Sequence, residues 1–307
     1  MNKIFITGGL GFIGANLIEK LLAKDFKVTI YDNFSSGKSE FVKSINDCQL
    51  INGDIRDYDH LKSSLKGHDA IIHLAAFGSV VDSVISPREN FDVNVVGTFN
   101  VFHSALENDI TKIIFASTGG ALIGNALPPV SEKSLPKPIS PYGSSKLCGE
   151  AYASAFSNSY DMSLTGLRFA NVIGPISAHK KGAVTSFIQS IMQNKPIQIF
   201  GDGSATRDFL YVDDLCEGII QAFEKKLPGF NAIHLSSGRE ISIKHLAIKL
   251  TSIANQPNHE IIYEEKRMGE VERNFANYNL AEDLLGFQPK TNIDRALKAT
   301  WDWFQNK

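Results

Sequence analysis

Tyr142 and Lys146, set four residues apart in Ser140-Pro141-Tyr142-Gly143-Ser144-Ser145-Lys146, could carry acid-base chemistry. Pro141 suits the first turn of a helix, and residues four apart on a helix project from one face. A phenol with a reference pKa of about 10 is a poor base near neutrality. A fixed ammonium beside it favours the phenolate and brings that pKa down. The same ammonium can bond a ribose hydroxyl. Such pairs also occur on ordinary exposed helix faces, so their meaning depends on what else the chain supplies. Upstream, Ser117-Thr118-Gly119-Gly120 follows the apolar run Ile113-Ile114-Phe115-Ala116. Hydroxyls at a strand tip could touch a substrate, and they could equally cap a turn.

The elements that would position these groups begin at the N-terminus. Thr7-Gly8-Gly9-Leu10-Gly11-Phe12-Ile13-Gly14 follows the apolar Ile4-Phe5-Ile6 and opens into a segment, 12–24, that is apolar at helical spacing. Strand, glycine turn and helix place free N–H groups and the positive end of a helix dipole against a diphosphate. Glycine lets the backbone approach the phosphates. Both Gly8/Gly11/Gly14 and Gly9/Gly11/Gly14 fit the pattern. Val28-Thr29-Ile30-Tyr31 reads as the next strand and Asp32 ends it. An acidic residue about 20 positions beyond the glycines is placed to accept from a ribose 2′-hydroxyl, and it would repel a 2′-phosphate. The cofactor expected is therefore NAD, not NADP.

Strands near 3–7, 27–31, 48–52, 69–74 and 111–117 alternate with helices near 12–24, 57–66 and 88–108. This alternation predicts an α/β fold with a doubly wound parallel sheet. Asp54, after the third strand, could accept from an adenine amino group, while Asp57 suits a helix cap. Leu74-Ala75-Ala76 ends the fourth strand with room for a flat ligand, and His73 within that run reads as a core histidine. Past Gly174-Pro175 the alternation loosens, with helices read at 183–194, 242–254 and 293–305. Trp301, Trp303 and Phe304 read as packing residues.

The chain has 307 residues, 43% hydrophobic and 21% charged, with a net charge of −2. That gives no basic footprint for nucleic acid. No apolar run approaches the ~18 residues of a membrane span. Three widely spaced cysteines, Cys48, Cys148 and Cys216, argue for free thiols, and no histidine or cysteine spacing suggests a metal site. With no secretory signal visible, the expected location is cytoplasmic.

Taken together, these motifs resemble the extended short-chain dehydrogenase/reductase family, and within it the UDP-glucose 4-epimerase group of nucleotide-sugar epimerases and dehydratases. The likeness rests on Thr7–Gly14, Tyr31-Asp32-Asn33, Gly53-Asp54-Ile55, His73–Ala76, Asn94-Val95-Val96-Gly97-Thr98 and Tyr142–Lys146. It continues through Leu167–Pro175, Arg207–Asp214 and Arg267-Met268-Gly269-Glu270. The resemblance implies a Rossmann-type NAD-binding domain over 1–175, with 207–226 returning to it as strand plus helix. A smaller nucleotide-sugar lobe takes 176–307. It implies cofactor contacts at Gly8, Gly11, Phe12, Ile13, Asp32, Asn33, Asp54, Ile55, Leu74, Ala75, Ala76, Asn94, Tyr142 and Lys146. On the UDP-sugar side it implies Ser79, Thr118, Asn171, Arg207, Arg267 and Asn274, with the two arginines clamping the diphosphate. Tyr142 is then the base at the sugar's 4-hydroxyl and Thr118 holds the 4-oxygen, with Ser117 one register away. Family dehydratases carry an Asp-Glu pair where this chain has Gly119-Gly120, which favours epimerisation alone. Ile123 and Ile173 stand where tyrosines are common. Asn274 stands where a bulky residue excludes N-acetylated sugars, so UDP-GlcNAc and UDP-GalNAc are candidate substrates. A homodimer through helices near 88–108 and 144–160 is implied as well.

Overall fold

The computed structural model describes residues 2–266 and 271–306. The first half runs β1 (Lys3–Thr7), α1 (Phe12–Leu22), β2 (Lys27–Asp32), β3 (Gln49–Asn52), α2 (Tyr58–Ser64) and β4 (Ala70–His73). Then come α3 (Val80–Ile85), α4 (Pro87–Phe91), a π-helical turn (Asp92–Gly97), α5 (Thr98–Leu106), β5 (Lys112–Thr118), the short α6 (Gly120–Ile123) and α7 (Pro141–Tyr160). The expected helix 88–108 is thus broken by the π turn. Gly97 permits close packing there, because a Cβ on it would meet the Ile55 side chain at 2.5 Å.

The second half runs β6 (Ser163–Phe169), β7 (Asn171–Ile173), α8 (Ala183–Met192), β8 (Ile197–Phe200), β9 (Thr206–Tyr211) and α9 (Val212–Glu224). It ends with β10 (Phe230–Leu235), β11 (Glu240–Ser242), α10 (Ile243–Ile253), β12 (Ile261–Glu264), β13 (Arg273–Asn274), α11 (Asn279–Leu285) and α12 (Ile293–Gln305).

Seven parallel strands form the main sheet in the order β10-β6-β5-β4-β1-β2-β3. The chain winds outward in both directions from β1, so the crevice between β1 and β4 is a topological switch point, where sheets of this kind bind ligands. Apolar strands such as Ile4-Phe5-Ile6 are buried on both faces, as parallel strands covered by helices must be.

The segment 207–226 divides. Its helix, α9, packs on α1, and Leu215, Ile219 and Phe223 share one apolar cluster with Leu17 and Leu21. Its strand, β9, lies in a separate small sheet with β7, β11 and β13. The strand that joins the main sheet is β10, beyond that span, which pairs with β6. The C-terminal α11 also reaches back, with Leu285 and Phe287 in that first cluster. A second core joins α8, α10 and α12 and holds Trp301 and Phe304, with Trp303 packed at its edge. No helix among the described residues is long and apolar enough to cross a membrane.

Candidate active site

The glycine turn is fixed by its neighbours. Gly8 has φ +71°, and a Cβ on it would lie 2.5 Å from the Ala75 backbone nitrogen. A Cβ on Gly14 would lie 2.6 Å from the backbone of Gly8 and Gly9. Gly9 meets only side chains, Ile30 and Ile18, so the operative frame is Gly8/Gly11/Gly14. Gly11 differs from both, since a Cβ there would meet only the Gly8 carbonyl, at 3.3 Å. The chain leaves the space over Gly11 open. Gly11 is also the N-cap of α1, with no side-chain cap and no acidic residue in the first turn. The leading N–H groups of Phe12 and Ile13 are therefore left for an outside acceptor.

Asp32 is buried, with one carboxylate oxygen accepting from Leu10 N at 3.0 Å and the other from Phe34 N at 2.9 Å. Burial pushes its pKa up and these two bonds oppose the shift. About four lone-pair sites are available on a carboxylate, so Asp32 keeps capacity for ribose hydroxyls.

Asp54, expected at the adenine, is more heavily engaged within the protein. Its oxygens accept from Arg56 N, Nε and Nη2 and from Asn33 Nδ2, at 2.7–2.9 Å. Four donors fill the carboxylate and hold its pKa well below the usual range, with the Arg56 side chain the largest cause. Asp54 thereby shapes the loop after β3. Ile55 beside it is buried, and its carbonyl accepts from Asn100.

Asn94 is likewise turned inward. It sits on the π turn and is buried. Its Oδ1 accepts from Phe77 N at 2.8 Å, while Nδ2 donates to Phe77 O at 3.2 Å and Ser145 Oγ at 3.1 Å. Both amide hydrogens are spent within the protein. Asn94 therefore clamps the loop containing Leu74, Ala75 and Ala76 to α7. Ala75 N donates in turn to Thr7 Oγ1 at 3.3 Å. His73 is a core histidine, paired at Nδ1 with Thr7 Oγ1 (2.7 Å) and at Nε2 with Thr98 Oγ1 (3.0 Å). Burial brings its pKa down to about 3, so it stays neutral.

The register at the tip of β5 is decided by what lies under it. Ser117 is buried and its Oγ donates to Glu150 Oε1 at 2.6 Å. Glu150 on α7 is gripped by Arg168 on β6 through two bonds, 2.9 and 2.7 Å, both side chains being 5% exposed. Thr118 points the other way, and its hydroxyl is hydrogen-bonded to the Tyr142 hydroxyl. α7 brings Tyr142 there because Ser140 caps it, accepting from Gly143 N at 3.2 Å, and because Ser83 Oγ accepts from Tyr142 N, also at 3.2 Å. Lys146 Nζ donates to Ala116 O at 2.9 Å and lies 5.9 Å from the Tyr142 ring centroid.

The ammonium does not lower the phenol's pKa within the protein alone, contrary to the sequence expectation. Burial pushes Tyr142 up to about 12, opposed only by the bond to Thr118, and burial brings Lys146 down to about 8.

The sugar-side residues are more dispersed. Ser79 caps α3, accepting from Asp82 N at 3.1 Å. Asn171 opens β7 and donates to Asp208 O at 3.1 Å. Arg207 on β9 donates to Thr206 O at 2.8 Å and pairs in register with Asn274 on β13. Asn274 lies over Gly120, where a Cβ would be 1.5 Å from its Nδ2. Gly119 next to it is tightly placed, since a Cβ there would be 3.0 Å from His234 Nδ1. Ile123 and Ile173 are buried, in separate apolar clusters. Arg267 lies outside the described residues. No cluster of histidine, cysteine and carboxylate side chains able to hold a metal occurs among the described residues.

The model of the NAD dependent epimerase/dehydratase family matches residues 4–234, which spans the cradle, Asp32, the Thr118–Tyr142 pair and β10. The chain belongs to that family. It is a member of the UDP-sugar 4-epimerase group within it. It is 35% identical to a putative UDP-glucose 4-epimerase of Methanocaldococcus jannaschii over 99% of this chain and 98% of that one. Among solved structures, the UDP-glucose 4-epimerase of Thermotoga maritima with UDP-glucose superposes with a TM-score of 0.94 at 32% identity, covering 99% of each chain. The UDP-N-acetylglucosamine 4-epimerase of Methanobrevibacter ruminantium, in complex with UDP-N-acetylmuramic acid, gives 0.93 at 32% identity, covering 99% of this chain and 98% of that one.

The epimerase-family cofactor fits the residues present. Gly11 leaves a space that a Cβ would begin to fill, α1 begins uncapped, and Asp32 retains free acceptor capacity. Sequence reasoning missed the Ser117–Glu150–Arg168 support, because three residues spread over 117–168 meet only when β5, β6 and α7 pack. It also missed the π turn, for which the local sequence carries only Gly97 as a signal.

Proposed function

We propose that this protein interconverts the carbon-4 epimers of UDP-hexoses, UDP-glucose with UDP-galactose and also UDP-GlcNAc with UDP-GalNAc. The observation that carries the reading is the hydrogen bond between Thr118 and Tyr142, with Lys146 behind it and no carboxylate at 119 or 120. Tyr142 takes the proton of the sugar's 4-hydroxyl and later returns it, while Thr118 holds the 4-oxygen. Bound NAD would supply the reversible hydride acceptor that this oxidation and re-reduction at carbon 4 requires. Gly8, Gly11, Phe12, Ile13 and Asp32 would hold the cofactor, and Lys146 would orient its ribose. Asn171, Arg207 and Arg267 bind the diphosphate side of the substrate and Ser79 the sugar side.

Acceptance of N-acetylated sugars is supported by the small Asn274 packed onto Gly120, and by the likeness to an enzyme named for UDP-N-acetylglucosamine. In this reading 1–175, joined by α9 and β10, is the NAD-binding unit and the rest is chiefly the substrate lobe. Exposed Phe91, Val96, Tyr152 and Tyr160 on the helices of 87–106 and 141–160 support a homodimer.

The test is a panel of UDP-sugars incubated with the purified protein without added cofactor, each product identified by its carbon-4 configuration. Turnover of both sugar pairs is expected. Conversion of UDP-galactose with UDP-GalNAc untouched overturns the wider specificity, and a requirement for stoichiometric NAD(P)H overturns epimerisation.

A further inference from the structure

The connection from β7 to α8, residues 174–182, sends three consecutive side chains to three different segments. His179 stacks on Phe41, with ring centroids 6.1 Å apart and planes at 16°. Lys180 lies 5.6 Å over the Phe12 ring and its Nζ donates to Val172 O at 2.6 Å. Lys181 donates to both carboxylate oxygens of Asp82, each at 2.9 Å. Phe41 belongs to the segment after β2 and Asp32, Phe12 opens α1 at the diphosphate cradle, and Asp82 sits in the first turn of α3, beyond Leu74–Ala76. One short loop thereby touches the segments following β2, β1 and β4, which are the walls of the dinucleotide crevice.

The loop is held in a shape it would not adopt alone. Ile176 has φ +70°, a strained value for a β-branched residue. Its neighbours pin it: Ser177 Oγ donates to Gly174 O (2.7 Å), Thr185 Oγ1 to Ser177 O (3.2 Å), and Asn16 Nδ2 on α1 to Pro175 O (3.2 Å). Lys180 is also unusual. Its neighbour Lys181 has a carboxylate, whereas Lys180 has one carbonyl acceptor and no carboxylate partner among the described residues. Burial brings its pKa down to about 8. A half-buried ammonium with a single carbonyl acceptor is poised to gain from an anion that comes to it.

We propose that residues 179–181 are a strap that retains the dinucleotide, Lys180 giving its charge to a diphosphate while His179 and Lys181 fasten the loop on either side. The crevice receives two diphosphates, that of NAD and that of the UDP-sugar. The contact with Phe12, the first residue of the cradle helix, assigns Lys180 to the NAD diphosphate. The inference rests on the family's NAD dependence and not on which sugar is turned over.

The experiment uses the holoprotein and its Lys180→Met, Lys180→Arg and Lys181→Ala variants. Release of bound NAD is followed by exchange with labelled NAD, UDP affinity by calorimetry, and folding by melting temperature. Loss of one charge-assisted bond corresponds to about 10- to 100-fold, so Lys180→Met should release NAD faster by that factor and Lys180→Arg should restore most of the retention. Lys181→Ala, which removes an exposed fastener, should accelerate release by about two- to fivefold. UDP affinity should stay within about twofold of the parent, since a diphosphate bond is lost only where the lysine makes one. Unchanged NAD release in Lys180→Met overturns the proposal, and so does weaker UDP binding with unchanged NAD release, which would assign the lysine to the substrate. NAD release is read without turnover, so failure to epimerise any sugar would overturn the proposed function and leave this result standing.

Discussion

Ser117 and Thr118 are adjacent hydroxyls with opposite duties, and exchanging which one is removed tests the site directly. Ser117 donates to the buried Glu150 carboxylate at 2.6 Å, and that carboxylate is also held by Arg168. A hydrogen bond to a charged, buried group contributes about 1.5–3 kcal/mol. Arg168 remains in place in Ser117→Ala, so the ion pair is weakened and not broken, and the cost stays near that range. At roughly 2–4 °C per kcal/mol for a domain of ~150–250 residues, the melting temperature should fall by about 3–12 °C. Turnover per folded molecule should be nearly unchanged, since Ser117 faces away from Tyr142.

Thr118→Val keeps the shape of the side chain and removes the hydroxyl bonded to Tyr142. An acid-base or oxygen-holding contact of this kind is worth roughly 100-fold or more in kcat, which at about 1.36 kcal/mol per tenfold is ~2.7 kcal/mol of transition-state stabilisation. Its melting temperature should move by less than that of Ser117→Ala. The assay is steady-state epimerisation of UDP-galactose, with thermal unfolding of the same preparations. A Ser117→Ala enzyme that is stable but inactive, beside a Thr118→Val enzyme that turns over normally, would refute the assignment.

Other outcomes follow from the same geometry. Tyr142→Phe should abolish turnover while the purified protein still carries NAD, checked by absorbance after denaturation; retained activity would remove Tyr142 as the base. Gly120→Ala should evict Asn274, whose Nδ2 lies 1.5 Å from the new Cβ, and so shift the ratio of UDP-GalNAc to UDP-galactose turnover; an unchanged ratio would exclude Asn274 from the sugar pocket. Asp208 is buried with its carboxylate accepting from Ser237 and Gly238, and burial pushes its pKa up to about 6. The folded state therefore keeps that proton at pH values where the unfolded chain, near the ordinary ~4, has lost it. Relative to Asp208→Asn, the parent protein should lose stability as pH rises from about 4 to 6, measured by urea unfolding; a flat difference would show that the carboxyl titrates normally.

Local sequence carried much of this protein. Apolar runs such as Ile4-Phe5-Ile6 and Ile113–Ala116 are strands because they must be covered on both faces, and their alternation with helical segments imposes the parallel sheet. Gly8 and Gly14 follow from backbone packing within one short turn, and Asp32 follows from its distance along the chain. Tyr142 and Lys146 share a face because a helix repeats every 3.6 residues.

What local sequence could not fix was the direction in which a polar side chain spends its hydrogen bonds. Asp54 and Asn94 have the residue types expected at a cofactor, and only the packed chain shows that Arg56 and Asn33 donate to the first while Phe77 and Ser145 accept the amide hydrogens of the second. Ser117 and Thr118 are equivalent as letters, and only the buried Glu150–Arg168 pair under β5 tells them apart. The phenol's pKa is raised because burial, a property of the whole fold, disfavours the phenolate and outweighs the bond from Thr118. Strand β9 leaves the main sheet and β10 joins it because pairing is settled between distant segments, whose partners are found only once the chain has packed.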